Sequence, residues 1–372
     1  MIYTMYANRD ATIYEKTETM NTGIDAVLEL SHESAGLNSP IYNSRLLIEF
    51  DFKKLKEYLD SGKIPYNSTK YYLELKTVDV QDIPQEYEIY AYPVSESWTN
   101  GTGHKANRRT TTDGVSWKYR SSKQIGLQWN VTQSLNPDVV GEYDSKYGGG
   151  TWWNTQNLAA SESFSYQTSD VYMNVTNIVN SWISGSSTIP NEGFLVKFSE
   201  DIEDLLEDTS TIKFFSTDSN TIYVPKLHVV WDDSNFDTGS LNSVNLDNMN
   251  LNVKLKKYYS INEKAKIRIY ANTRYPLKTY TTESYYTVNY YLPETSYYEI
   301  RDAHTDEIYV PFSKEGTKIS CDGNSSYFNI WMNSFQPERF YRVVVKVESD
   351  NGDNVQIFDN NHYFKVTRWM IN

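Results

Sequence analysis

The sequence predicts an all-β protein, first of all because of its composition. Its 372 residues include 32 Tyr, 14 Phe and 9 Trp but only 17 Gly and 11 Pro, and aromatic residues suit the half-buried surface of a pleated sheet. The second observation is a repeated alternation of apolar and polar residues between turn signals, which is typical of strands. Together they predict a jelly-roll-like β-sandwich with two short helices, followed by an immunoglobulin-like β-sandwich.

The clearest strand pattern lies in the first part of the chain. Alternation with period two runs through residues 71–78, 86–92, 193–198, 211–216 and 226–231. Because each run is bounded by turn residues, we expect one β-sandwich over residues 1–232.

Two stretches have a helical period instead. In residues 51–59, Phe52, Leu55 and Leu59 share one face of a helix. In residues 175–183 the apolar positions follow the same spacing, at Val175, Ile178, Val179, Trp182 and Ile183. We expect a short helix at each place, with Trp182 packed in the core.

A polar segment separates the first sandwich from the second. Residues 233–246 are rich in Asp, Ser and Asn and have neither period, which predicts a linker. Alternation resumes over residues 247–372, for example at Tyr341, Val343 and Val345. About seven strands in this length are typical of an immunoglobulin-like domain.

Charge, hydropathy and cysteine content exclude several classes of protein. Lys and Arg total 35 against 48 Asp and Glu, a formal net charge of −13, so the chain lacks the basic excess typical of nucleic-acid binding. With a mean hydropathy of −0.62 and no apolar run of about 18 residues, we expect no membrane span. The first residues have no signal-peptide pattern, so we expect synthesis in the cytoplasm. The single cysteine, Cys321, excludes an internal disulfide.

Sequence motifs for catalysis are missing. The five histidines are scattered, and no nucleophile-elbow, phosphate-binding or dinucleotide-binding motif occurs. Glu49, Asp51 and Glu192 are available for acid–base chemistry, but nothing marks two of them as the pair that glycoside hydrolysis needs. We therefore expect no enzymatic activity, no catalytic residue and no cofactor.

An acidic run spans residues 200–208. Oxygen-rich clusters bind Ca²⁺ in some proteins, but the residue order of an EF-hand loop is absent, so no metal site is predicted. We expect a solvated helical turn instead, with Leu205 or Leu206 facing inward.

Residues 95–153 hold five tryptophans, at Trp98, Trp117, Trp129, Trp152 and Trp153. Long irregular segments in compact domains are usually functional or form contacts. Two interpretations are open: the indole rings cap the ends of the sandwich, or they form an exposed aromatic surface. On the second, Trp98, Trp152 and Trp153 are candidate ligand-binding or interface residues.

The first sandwich contains an ordered set of short motifs. They are Asp10-Ala-Thr-Ile-Tyr14, Arg45-Leu-Leu-Ile-Glu-Phe-Asp51, Trp98, Gly114-Val-Ser-Trp117, Val175-Thr176 with Trp182, Asn191-Glu-Gly-Phe-Leu-Val-Lys197, Phe214-Phe-Ser216 and Pro225-Lys-Leu227. The set resembles the DNRLRE-type β-sandwich, a carbohydrate-binding-module-like domain. Arg45-Leu46 is followed by Leu47-Ile48 where that family has Arg-Glu, so the resemblance implies the fold without its sugar-binding role.

Three further motifs are similar to a branch of that family found in virion structural proteins of tailed bacteriophages. They span residues 97–103, 110–120 and 148–152. In that branch an immunoglobulin-like domain follows the first module. The spacing Phe335-x-Pro337-x-x-x-Tyr341 resembles the tyrosine corner of fibronectin type III domains, which implies that the Tyr341 hydroxyl bonds upstream backbone beside Pro337.

The resemblance implies a non-enzymatic structural protein located in the virion, in the tail, neck collar or baseplate periphery. Its expected partners are copies of itself in a symmetric ring or trimer and neighbouring virion proteins, not nucleic acid or a membrane. Three alternatives stay open: a carbohydrate-binding receptor-recognition or cell-surface module that contacts host glycan, a capsid decoration protein, and a polysaccharide-degrading enzyme.

Overall fold

The all-β prediction is confirmed, since strands make up most of the regular structure. The computed structural model describes residues 1–34, 36, 40–81, 86–107, 113–121, 126–129, 134–135, 140–141, 148–154, 157–165, 169–184, 189–207, 209–275, 289–349 and 352–368. Within these residues, no helix has the length and apolar character needed to cross a membrane.

The chain folds as two compact units. The N-terminal unit consists of Met5–Tyr66 and Lys70–His228, and the C-terminal unit of Met1–Thr4, Asn67–Thr69 and Val229–Asn372. This division differs from the predicted boundary at residue 232 in placing the first four residues with the end of the chain. Within the C-terminal unit, the amide of Trp231 donates to the carbonyl of Met1 at 3.0 Å. No local sequence pattern signals a contact between residues so far apart.

The strands described up to residue 230 are short and numerous. They are β1 (Ile2–Tyr6), β2 (Arg9–Tyr14), β3 (Val27–Ser34), β4 (Ile41–Glu49), β5 (Lys70–Leu75), β6 (Thr77–Gln81), β7 (Glu86–Pro93), β8 (Tyr119–Ser121), β9 (Leu127–Gln128), β10 (Ser134–Leu135), β11 (Val140–Gly141), β12 (Ala160–Ser165), β13 (Val171–Asn174), β14 (Phe194–Phe198), β15 (Ser210–Phe215) and β16 (Lys226–Val230). The helices are α1 (Lys53–Asp60), α2 (Thr176–Ile183) and α3 (Glu200–Glu203), with 3₁₀ turns at Glu15–Thr17, Lys105–Asn107 and Thr217–Ser219.

One large sheet forms the centre of the N-terminal unit. Its strand order is β12–β7–β14–β4–β3–β15–β6, and β2 also pairs with β4; a four-stranded sheet has the order β1–β16–β5–β13. Every residue of β14 is buried, although successive side chains on a strand point to opposite faces. The large sheet is therefore covered on both faces at this strand.

Both predicted helices are confirmed, and α2 covers one face of the large sheet. The Trp182 ring is buried and lies 4.8 Å from Phe194 and 5.6 Å from Phe52, measured between ring centroids. Helix α1 buries Leu55 and Leu59. The helical spacing seen in the sequence therefore serves core packing.

The C-terminal unit contains the remaining strands. They are β17 (Phe236–Asp237), β18 (Asn242–Ser243), β19 (Met249–Lys254), β20 (Tyr258–Ser260), β21 (Lys264–Thr273), β22 (Tyr290–Tyr291), β23 (Ser296–Asp302), β24 (Ile308–Val310), β25 (Ser320–Asp322), β26 (Ser326–Trp331), β27 (Phe340–Glu348) and β28 (Val355–Thr367), with 3₁₀ turns at Leu246–Asn248 and Met332–Ser334. One sheet has the order β17–β25–β26–β21–β22–β18, with β19 also paired to β21, and the other β20–β28–β27–β23–β24. Tyr298 of β23 stacks on Phe328 of β26 at 4.0 Å, so the two sheets share a core.

The segment 233–246 differs from the predicted linker. Strand β17 pairs with β25 and β18 pairs with β22, both in parallel, and the amide of Cys321 donates to the Asn235 carbonyl at 2.9 Å. Two-residue strands have no readable period, so the sequence alone shows only polarity here. The segment belongs to the C-terminal unit.

Tyr341 lies at the centre of an aromatic group in the C-terminal unit. Its ring is fully buried and packs at 4.8 Å from Phe335, 5.3 Å from Tyr309 and 5.7 Å from Phe364. Its hydroxyl donates to the carbonyl of Gln336, next to Pro337, at 3.0 Å. Burial raises the pKa of Tyr341 above its ordinary value.

Replacing Tyr341 tests how much this group stabilises the C-terminal unit. We expect Tyr341→Phe to lower the free energy of unfolding by about 1–3 kcal/mol, because it leaves the Gln336 carbonyl without its donor. Tyr341→Ala also opens a cavity and should cost about 3–5 kcal/mol. Thermal unfolding combined with hydrogen exchange resolved along the chain measures both losses. Tyr363→Ala, at an exposed position of β28, is the control; an unchanged melting temperature in Tyr341→Ala contradicts the prediction.

Candidate functional site

Four tryptophans of the 95–153 segment lie together in the interior of the N-terminal unit. Trp98, Trp117, Trp129 and Trp152 are only 2–6% exposed. They form one core cluster with residues of the large sheet: Ala11, Ile13, Leu47, Tyr92, Val94 and Leu195, together with Val115 of the segment itself. We call this group the tryptophan cluster. It covers the face of the large sheet opposite to α2.

Trp98 is held by polar contacts on its ring and on its indole nitrogen. Its Nε1 donates to the carbonyl of Glu192 at 2.9 Å, and the Arg9 guanidinium lies 4.4 Å from the ring centroid. Arg9 in turn donates to the Trp98 carbonyl at 2.6 Å and to Glu49 at 2.6 Å. Trp98 therefore presents no open ring face to a ligand or a partner, which argues against the interpretation of an exposed aromatic surface and agrees with rings packed on the sandwich.

The other two candidate aromatics differ from each other. Trp152 is buried in the tryptophan cluster, with the Arg45 guanidinium and the Lys197 ammonium each 5.1 Å from its ring centroid. Trp153 is half-buried, and its amide donates to the Pro93 carbonyl at 2.9 Å. Of the three candidates, Trp153 is the least buried, although its indole nitrogen is buried without a hydrogen-bond partner within the described residues.

A buried ion cluster lies beneath the tryptophans. Arg45 on β4 donates to both carboxylate oxygens of Glu203, at 3.0 and 2.7 Å, and Lys197 on β14 lies 2.7 Å from the same carboxylate. The Arg45 guanidinium is also 5.0 Å from the Trp117 ring centroid. Bidentate pairing with a carboxylate and stacking on aromatic faces are what a buried guanidinium needs to offset lost hydration.

Each charge of the buried ion cluster is stabilised by an opposite charge beside it. Burial by itself raises the pKa of Glu203, but Arg45 and Lys197 outweigh that effect and hold its pKa below the ordinary value. Burial and the neighbouring Arg45 lower the pKa of Lys197, and Glu203 opposes them. The result is one carboxylate shared by two cations inside the fold.

Two glycines of the 148–152 motif pack against the buried ion cluster and the large sheet. The carbonyl of Gly149 accepts from Arg45 Nη1 at 2.8 Å. A Cβ at Gly149 would lie 2.5 Å from that nitrogen, and one at Gly150 would lie 2.4 Å from Leu195. Both glycines also have positive φ, at 83° and 87°, so this motif has glycine because the backbone passes directly over the arginine and the sheet.

The acidic run contains the predicted helical turn, α3, but the prediction that a leucine of the run faces inward is wrong. Glu203 is buried, whereas Leu205 and Leu206 are 45% and 93% exposed. A carboxylate replaces the expected leucine in the interior because Arg45 and Lys197 need a counter-charge there. Asp208, at the end of the run, lies outside the described residues.

Other motifs of the sequence resemblance also meet in the structure. Asn21 donates to the carbonyls of Asn100 and Val115 at 2.7 Å each and accepts from the amide of Gly103 at 2.7 Å. It thereby joins the 97–103 and 114–117 motifs. Residues 110–112 of the longer motif lie outside the described residues. Sequence reasoning missed Asn21, since a single Asn before a Thr-Gly pair has no distinctive pattern.

Asp10, from the first motif, is a buried carboxylate joined to the Phe214–Ser216 motif. It accepts from Ser216 Oγ at 2.8 Å and from the amide and hydroxyl of Thr217 at 2.8 and 3.0 Å. Burial outweighs these hydrogen bonds and raises the pKa of Asp10 to about 6.

A third polar group surrounds Glu74 on β5. His228 Nε2 lies 2.8 Å and Lys226 Nζ 3.3 Å from its carboxylate. Burial favours the neutral acid, but His228, Lys226 and Lys76 outweigh it and lower the pKa of Glu74. Glu74 is therefore paired with Lys226, Lys76 and the His228 ring, and it has no raised pKa that would suit a general acid.

Of the three carboxylates considered for acid–base chemistry, Glu49 and Glu192 are close enough to interact. Burial and the charge of Glu49 raise the pKa of Glu192, while Glu49 is paired with Arg9. Asp51 caps the start of α1, where it accepts from the amide of Lys53 at 2.9 Å. The structure thus singles out Glu49 and Glu192, which the sequence did not distinguish from other acids.

No metal centre or reactive thiol emerges in the described part of the chain. The side chains described there contain no group of three or more His, Cys, Asp or Glu placed to hold a metal ion. Cys321 is buried, and burial raises the pKa of its thiol, which disfavours the thiolate.

Removing the carboxylate of Glu203 tests the ion cluster. We expect Glu203→Ala to lower the free energy of unfolding by about 3–5 kcal/mol, because it leaves two buried cations without a counter-charge. Urea unfolding of the full chain measures the loss. Glu207→Ala, at an exposed position in the same loop, should change stability by less than about 0.5 kcal/mol. Equal unfolding midpoints for the two variants contradict the structural role of Glu203.

Asp10 should make stability depend on pH. Its pKa is about 6 in the folded chain against an ordinary value of 3.8, so the folded state binds the proton more tightly and gains stability as the pH falls between these values. Relative to Asp10→Asn, the wild type should gain up to about 3 kcal/mol between pH 7 and pH 4. Unfolding at a series of pH values measures the difference, with the exposed Asp204→Asn as control. Parallel profiles for wild type and Asp10→Asn contradict the assignment.

Comparison with known proteins does not identify a family. No family model matches the sequence, and no curated protein matches it. Among solved structures, the chain is similar to the crystal structure of a β-glucuronidase from Parabacteroides merdae, with 10% identity and a TM-score of 0.17 over 95% of this chain and 36% of that chain. The chain thus spans little more than a third of the length of that enzyme, and a TM-score this low does not relate the two folds.

Proposed function

We propose that this chain is a non-enzymatic structural protein of a bacteriophage virion, located in the tail, neck collar or baseplate periphery. It acts by assembly with copies of itself in a ring or trimer and with neighbouring virion proteins. The ordered motifs of the sequence are the origin of this proposal.

One observation carries the proposal: the residues of the phage-type motifs hold the interior together. Trp117, Gly149 and Trp152 surround the Arg45–Glu203 pair. Residues that the sequence suggests as a binding surface thus lie in the interior, where they stabilise the N-terminal unit. A rigid module is what repeated assembly requires.

The surface of the C-terminal unit supports association with other proteins. Tyr275, Val355, Ile357 and Tyr363 are large apolar or aromatic side chains that are at least 40% exposed. Aromatic residues are enriched where proteins bind one another. A capsid decoration protein would bind its neighbours through exposed side chains of the same kind, so this role is the alternative within the virion.

A carbohydrate-binding role has less support. Sugar stacking needs an open aromatic face, and Trp98 and Trp152 are buried. Trp153 is the remaining candidate for host-glycan contact, because it is the one of the three that is not fully buried.

Mass spectrometry of purified particles, joined to a subunit-resolved density map, tests the virion assignment. We expect the chain among the particle proteins in a stoichiometry set by the symmetry of a ring or trimer. Its absence from purified particles of a phage that encodes it would overturn the proposal.

An activity assay separates this proposal from the enzymatic alternative. We expect no release of sugar from capsule or cell-wall polysaccharide by the full chain, because Glu49 is paired with Arg9. Glu192→Gln and Glu49→Gln are the informative variants, and Glu207→Gln is the exposed control. If the chain does release sugar, and if Glu192→Gln or Glu49→Gln abolishes that release while Glu207→Gln does not, the chain is a hydrolase.

A further inference from the structure

An exposed loop of the N-terminal unit has an unusual composition. Residues 200–207, which we call the acidic knob, carry Leu205 and Leu206 at 45% and 93% exposure. Four exposed carboxylates surround the two leucines: Glu200, Asp201, Asp204 and Glu207. Adjacent leucines exposed in a loop are an apolar anchor for another molecule, and the carboxylates favour a partner with basic residues.

The acidic knob is held rigidly at its base. Between its outer carboxylates, Glu203 is fixed by Arg45 and Lys197 in the interior. The Leu205 carbonyl is 3.2 Å from His32 Nε2, and Asn43 Nδ2 donates to the Glu203 carbonyl at 3.4 Å. A loop anchored in this way loses little conformational entropy when it binds, which favours affinity.

The same unit contains a cleft of matching chemistry. The helix cleft, about 840 Å³ in volume, lies between α1 and the end of α2 and has an apolar floor that includes Phe52, Trp182 and Ile189. Lys53 and Lys56 line it, both exposed and neither in an ion pair within the described residues. Asp60 is the one carboxylate among the described lining residues, and it accepts from the Tyr66 hydroxyl at 3.4 Å.

The helix cleft is large enough to take a leucine side chain, since volumes of about 300–1,000 Å³ are typical of binding pockets. Phe52, Trp182 and Ile189 at its base are themselves buried, so the apolar area that the base exposes is small. Lys53 and Lys56 are one helical turn apart on α1, so both ammonium groups lie on the same side of the cleft. The Trp182 indole nitrogen has no hydrogen-bond partner within the described residues. The cleft thus combines an apolar floor with a basic rim, the complement of the acidic knob.

The two features lie on opposite sides of one strand. Lys197 of β14 contacts Glu203 of the knob, whereas Phe194 of the same strand packs on Trp182 of the cleft. Residues three apart on a strand point to opposite faces. The knob of one copy is therefore separated from its own cleft by the large sheet, so a contact between knob and cleft can form only between two copies.

We propose that the acidic knob of one copy docks into the helix cleft of the next copy, with Leu205 and Leu206 on the apolar floor and the knob carboxylates facing Lys53 and Lys56. Such a contact joins two different surfaces and is heterologous, so it generates a closed ring or an open filament. This inference rests on the proposed function, for which it supplies the self-assembly contact.

Sedimentation velocity of the full chain over a wide concentration range tests the contact. We expect the wild type to self-associate, and Leu206→Glu and Lys53→Glu/Lys56→Glu each to weaken association by at least about tenfold. Leu127→Glu and Lys54→Glu are matched controls, since both positions are exposed and lie outside the knob and the described cleft lining. Circular dichroism and thermal melting confirm that each variant is folded.

Mixing the two defective variants is the decisive step. Leu206→Glu keeps an intact cleft and Lys53→Glu/Lys56→Glu keeps an intact knob, so the mixture should form a one-to-one complex that neither variant forms alone. A wild type that stays monomeric at every concentration overturns the proposal. So does undiminished association of either variant, or a mixture that remains monomeric.

The result of the docking experiment can be distinguished from the result of the virion test. If the chain is present in purified particles and Leu206→Glu is incorporated normally, the docking contact is wrong while the virion assignment stands. If the chain is absent from particles, the virion assignment fails whatever the association in solution.

Discussion

Arg45 places a positive charge in the middle of a central strand, and the N-terminal unit is organised around its neutralisation. The bidentate pair with Glu203 and the carbonyl of Gly149 satisfy the guanidinium, while Trp117 and Trp152 stack near it. A buried cation without these partners costs several kcal/mol. The glycine motif and the indole rings are therefore consequences of one electrostatic constraint.

That constraint also explains why the large sheet has no open face at β14. Helix α2 covers one side through Trp182, and the 95–153 segment covers the other with the tryptophan cluster. Tryptophan suits this role because it covers a large area and carries one polar atom, which Trp98 satisfies on the Glu192 carbonyl. The same covering layer removes these rings from the surface, so the burial that stabilises the sheet also weakens the case for sugar binding.

The C-terminal unit has an aromatic group at its centre. Tyr341 packs edge to face on Phe335 and Tyr309 and tilted on Phe364, while Tyr309 stacks on Phe335 at 5.2 Å. One hydrogen bond to the Gln336 carbonyl satisfies the Tyr341 hydroxyl. Aromatic pairs in these arrangements add to the free energy gained by burial. Each unit therefore has a packed core of its own kind.

Local patterns in the sequence determined the fold class, the strands and both short helices, because the two-residue and 3.6-residue periods record which side of each element is buried. They also located Tyr341 and the motif glycines. They did not show that Glu203 replaces a leucine in the interior, that Trp98 and Trp152 are covered, or that Asp10 meets Ser216. Those facts depend on contacts between residues far apart in the chain. A charge or a ring is buried or exposed according to which distant partner the tertiary fold brings to it, and no local period encodes that partner.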